Sequence, residues 1–71
     1  LLKAAEQGVP NAQFSLGGMY EDGRGVPRND QLAYFWYLLG AAAGDSGAAT
    51  SRDKIEARLT AQQRADVQRD A

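Results

Sequence analysis

The stretch Leu16-Gly17-Gly18-Met19-Tyr20-Glu21-Asp22-Gly23-Arg24-Gly25-Val26-Pro27-Arg28-Asn29-Asp30-Gln31-Leu32-Ala33-Tyr34-Phe35-Trp36-Tyr37 decides the fold. Its centre, residues 22–29, is a turn. Gly23 can take the left-handed conformation that ends a helix, Pro27 cannot continue one, and Val26 before the proline is pushed extended. Asn29 or Asp30 then caps a new helix. On the amino side, Ala12, Leu16, Met19 and Tyr20 fall at i, i+4, i+7 and i+8. They form the apolar stripe of a helix that begins at Pro10 and runs to about Glu21. On the carboxyl side, a helix to about Ala43 sets Ala33, Trp36, Tyr37, Gly40 and Ala41 on one face and Leu32, Phe35 and Leu39 on another. A helix so apolar all round needs cover from two sides. Gly17 and Gly18 each cost about 1 kcal/mol relative to alanine in a helix, so at least one should admit close approach by a neighbouring backbone.

Working outward, Leu1 to Gln7 reads as the last turns of a preceding helix, with Gly8 as its left-handed stop. Gly44 closes the apolar helix, and Asp45 or Ser46 opens a polar one with a narrow stripe of Ala48, Ile55 and Leu59. Thr60-Ala61-Gln62-Gln63 is a capping-box pattern that starts a short, fraying helix from Ala61 to about Arg69. Gly8 and Gly44 are separated by 44 − 8 = 36 residues, and the same offset lays Leu2 over Leu38 and Ala12 over Ala48. A period in the mid-thirties with helical patterning fits stacked helix-turn-helix units. The predicted fold class is therefore all-α: a fragment of an α/α superhelical solenoid built from antiparallel helix-turn-helix repeats.

Ala4-Ala5-Glu6-Gln7-Gly8, Ala12-Gln13, Leu16-Gly17, Met19-Tyr20, Gly23-Arg24-Gly25-Val26, Asp30, Ala33 and Trp36-Tyr37 together resemble the Sel-1-like repeat, an α/α repeat related to the tetratricopeptide class. The resemblance divides the chain into the end of one repeat (1–8), one full repeat (9–44) and polar capping helices (45–71). Its repeat positions are Ala5, Gly8, Ala12, Leu16, Gly17, Tyr20, Gly23, Gly25, Ala33, Trp36 and Gly44. After Ala48 the pattern departs: Arg52 and Asp53 stand where Leu16 and Gly17 stood one period earlier, which favours a terminal cap. The resemblance implies a protein-interaction scaffold, commonly in bacterial envelope or signalling assemblies, with no catalytic residues to carry over.

Composition narrows the chemistry further. The 71 residues contain no histidine and no cysteine, and the formal net charge is −1. Serine and threonine therefore lack a histidine base, and thiolate metal sites and disulfides are excluded. No calcium-loop spacing of acids occurs. Glu21 and Asp22 are helix neighbours that point apart at a solvated turn, a poor acid–base pair. Gly23-x-Gly25 lacks both the third glycine of a dinucleotide loop and a following Gly-Lys-Ser/Thr, so it reads as a repeat turn. Trp36 and Tyr37 read as helix packing and not as a stacking platform. The basic residues alternate with acids, which argues against nucleic acid as a partner. The run Leu32 to Ala43 is too short to span a bilayer. No signal peptide is legible, so the compartment, bacterial periplasm or envelope or cytoplasm, stays open. No catalytic, cofactor or metal site is expected.

The partner expected is a protein or extended peptide. In tetratricopeptide-like stacks the first helix of each unit lines the concave groove. Asn11, Phe14 and Gly18, opposite the stripe of Ala12, Leu16 and Met19, are the candidate contacts. A repeat unit cannot cover its own apolar faces, so Leu1, Leu2 and the preceding-helix side of the Pro10–Glu21 helix should meet a neighbouring repeat or a second copy. Arg52, Lys54, Glu56 and Arg58 should face water at the other end.

Overall fold

A computed structural model describes residues 2–71. Leu1 and the side chain of Leu2 lie outside the described residues, and with them the expectation that both leucines stand uncovered. Five helices follow in order: α1 (Leu2–Glu6), α2 (Pro10–Asp22), α3 (Asp30–Ala42), α4 (Ser46–Glu56) and α5 (Ala61–Asp70). No strand occurs among the described residues, and the chain is all-helical.

The helix ends are set by local chemistry. Pro10 occupies the first turn of α2, where its missing N–H is not needed. The Asn29 side chain accepts from Leu32 N at 3.0 Å to start α3, and Asp45 Oδ1 accepts from Ala48 N at 2.9 Å to start α4. The capping box at α5 is complete. Gln63 N donates to Thr60 Oγ1 at 3.1 Å, and Thr60 N donates to Gln63 Oε1 at 2.9 Å. The sequence period reappears as geometry. After α1, Gly8 N donates to Ala5 O and Val9 N to Ala4 O; after α3, Gly44 N donates to Ala41 O and Asp45 N to Gly40 O. Every partner in the second closure lies 36 residues beyond its counterpart in the first. Both glycines have positive φ, 85° and 100°, which is why only glycine suits these stops.

α3 is the central element, packed against α2, α4 and α5. It feeds two apolar clusters. Trp36 joins Ala5, Ala12 and Leu16 on the α1–α2 side, and Ala33, Tyr34 and Tyr37 join Ala48, Ile55, Leu59 and Val67 on the other. Trp36 is 9% exposed, and its ring meets Phe35 edge-on at 5.1 Å. The close approach expected at one of the paired glycines occurs at Gly17, over which lie the Tyr37 ring and the Ala33 carbonyl.

Several placements differ from the wheel. Tyr34, assigned to neither face, is fully buried, whereas Leu32 stays 39% exposed and Ala41 only half-buried. Gln13 is buried because its Nε2 donates to Ala5 O at 3.0 Å, tying α2 to the end of α1, while its Oε1 has no partner.

Candidate protein-interaction surfaces

Phe14 and Gly18, one turn apart on α2, line an open groove of about 470 Å³ together with Met19, Tyr37 and Ser51. The groove forms because α2, α3 and α4 each supply part of its wall. Phe14 is half-buried and its ring lies 5.9 Å from that of Tyr37, tilted by 39°. It thus packs on a neighbouring helix and faces the groove at once. At Gly18 an added β-carbon would meet only the Arg24 guanidinium at 3.3 Å and the Tyr37 hydroxyl at 3.8 Å. Asn11 is exposed on the same helix but does not line the groove. Met19 does, although spacing assigned it to the apolar stripe. Ser51 comes from α4, and no sequence signal joined it to Phe14.

Two separate sets of polar contacts tie the helices together, one at the wall of this groove and one around Tyr34. Tyr37 donates its hydroxyl to Glu21 Oε1 at 2.5 Å, and Arg58 reaches Glu21 Oε2 at 2.7 Å and Asp30 Oδ1 at 3.4 Å. Tyr34 donates to Glu56 Oε2 at 2.7 Å and accepts from Gln68 Nε2 at 2.8 Å, joining α3, α4 and α5. Glu21 therefore does not stand free at a solvated turn, and Glu56 does not simply face water: both are half-buried acceptors for tyrosine. Arg58 is exposed yet paired, while Arg64 turns inward to the carbonyls of Glu56 and Leu59 at 3.2 and 2.7 Å. Burial pushes the Tyr37 hydroxyl well above the usual tyrosine range, and its hydrogen bond to Glu21 adds to the shift. Tyr34 is raised in the same way, by burial first and Glu56 second.

The groove offers apolar surface, hydroxyls and the charged side chains of Glu21, Asp22 and Arg24, but no histidine or thiol to activate a nucleophile. Among the described residues no group of three or more acidic side chains is placed to hold a metal ion, and no helix is long and apolar enough to cross a membrane.

A family model described as Sel1 repeat matches residues 1–9 and 10–45. Chitin synthase regulator SKT5 of Saccharomyces cerevisiae is 47% identical over 47 residues, which cover 66% of this chain but only 7% of that protein. No solved structure matches the chain.

Proposed function

This chain belongs to the Sel1 repeat family, and we propose that it is a non-catalytic docking segment whose protein or extended-peptide partner lies along Asn11, Phe14 and Gly18. Sel1 repeats generally mediate protein–protein interaction and are not a catalytic repeat type. The observation that carries the reading is the open groove itself, lined by the half-buried Phe14 ring and by half-buried Gly18, where no side chain fills the space. An extended segment can place one apolar side chain there and use Ser15 and Ser51 for hydrogen bonds. The units 1–8, 9–44 and 45–71 are part of the same proposal, as is a further repeat or second copy stacked on the amino-terminal side.

Gly18→Glu fills the groove without entering the core, so it is the variant of choice. A longer protein carrying this segment should lose its bound partner on that change while keeping its melting temperature. Capture that survives Gly18→Glu would place the contact on another face.

A second reading, a regulatory or anchoring segment of a larger assembly, is favoured by the relative named as a chitin synthase regulator. That relative is a yeast protein, so the bacterial envelope setting implied by the resemblance has no support in it. Deleting this segment from its parent should then change the activity of an associated enzyme and leave that enzyme's abundance unchanged. An unaltered activity would leave the docking reading alone.

A further inference from the structure

We propose that the concavity between α3 and α5 is a second docking surface, whose occupant is a polypeptide segment bearing lysine or arginine beside an apolar side chain. The concavity measures about 460 Å³ and shares no lining residue with the groove at Phe14. Its floor is apolar. Leu32 is 39% exposed there, one of two large apolar side chains so open among the described residues, and it lies with half-buried Phe35 and buried Val67. Asp66 and Asp70 also line it, four residues apart and so on one face of α5.

No lysine or arginine lines this concavity. The nearby cations are turned elsewhere: Arg64 to the carbonyls of Glu56 and Leu59, and Arg28 to Asp30 at 3.4 Å. Asp66 Oδ1 accepts from Gln62 Nε2 at 2.9 Å and meets Arg69 at 3.3 Å, but the Arg69 side chain is 69% exposed, and such a surface pair is readily exchanged for another cation. Asp70 has no ion pair among those described. Apolar floor and acidic wall select together. A phosphate-rich surface, whether lipid or nucleic acid, is repelled by the carboxylates. A purely apolar segment meets the floor but leaves Asp70 unpaired, whereas a cationic segment with an apolar side chain satisfies both.

The 71-residue chain, isotopically labelled, can be titrated with two synthetic hexapeptides, one alternating lysine and leucine and the other alternating glutamate and leucine. The lysine peptide should shift the amides of Leu32, Phe35, Val67 and Asp70 saturably, and the glutamate peptide should not. The double variant Asp66→Asn, Asp70→Asn should weaken the lysine peptide at least tenfold, with the melting temperature retained as the check on folding. Equal response to both peptides, shifts confined to Phe14 and Gly18, or full affinity in the double variant would each overturn the proposal. Shifts at Phe14 and Gly18 alone would leave the first groove standing and remove only this one.

Discussion

A β-carbon placed on Gly17 would lie 2.6 Å from both Cδ1 and Cε1 of Tyr37 and 3.2 Å from the Ala33 carbonyl oxygen. α3 therefore rests on bare backbone of α2 at this point, and no side chain fits between them. Gly17→Ala should destabilise the fold by about 1–3 kcal/mol through overpacking, although alanine is the better helix former. Gly18→Ala should instead gain up to about 1 kcal/mol, because its β-carbon meets the movable end of Arg24 and, at an ordinary 3.8 Å, the Tyr37 hydroxyl. In a domain of this size each kcal/mol moves the melting temperature by about 4–8 °C, so paired thermal melts resolve the two. Equal shifts in one direction would refute the contact.

Stability should fall at alkaline pH. The hydroxyls of Tyr34 and Tyr37 are both raised above the ordinary tyrosine range, by burial first and by their carboxylate acceptors second. Below about pH 10 both folded and unfolded chains hold these protons, and the contribution is complete. Above it the unfolded chain ionises first, so stability is lost as pH rises toward the folded values. Urea unfolding between pH 8 and 11 measures this. Tyr37→Phe should lower stability at pH 8 by about 1–2 kcal/mol and flatten the alkaline decline. A decline unchanged in both Tyr34→Phe and Tyr37→Phe would assign it to other groups.

The helix ends were legible because their causes are local: Gly8 and Gly44 stop helices, Asn29 and Asp45 cap them, and Thr60 with Gln63 forms a reciprocal pair. Phe14 and Gly18, which a wheel places opposite Leu16, both line the groove, whereas Asn11 from the same wheel face does not. What periodicity could not supply was long-range pairing. Glu21 and Arg58 are 37 residues apart, and Tyr34 and Gln68 are 34 apart. Nothing in their spacing marks them as partners. Tyr34 is buried because α4 and α5 both arrive over it, with Glu56 and Gln68 satisfying its hydroxyl. Leu32 stays open for the opposite reason: spacing gave it an apolar face, but the described residues cover that face only in part.

Trp36 closes the cluster formed with Ala5, Ala12 and Leu16 and stacks edge-on with Phe35. Trp36→Ala should cost about 3–5 kcal/mol. Emission of the native protein should be blue-shifted relative to the urea-unfolded chain, because this single tryptophan is 9% exposed. Native emission matching the unfolded state would remove Trp36 from the core.

The final helix offers a test of how far the fold is one cooperative unit. Val67 is the one buried residue that α5 contributes. Beyond it, α5 is held by the Thr60–Gln63 capping box, by Gln68 donating to Tyr34, and by Arg64 bonding back to Glu56 and Leu59. Thr60→Ala removes one side of the box at a cost of about 1 kcal/mol. If α5 opens on its own, that loss accelerates exchange of the Arg64–Gln68 amides by about fivefold and leaves the amides around Trp36 untouched. This is the expected outcome, since little apolar surface couples α5 to the rest. An equal acceleration at Trp36 would instead show that α5 opens only when the whole chain unfolds, making it part of the core unit and not a fraying cap.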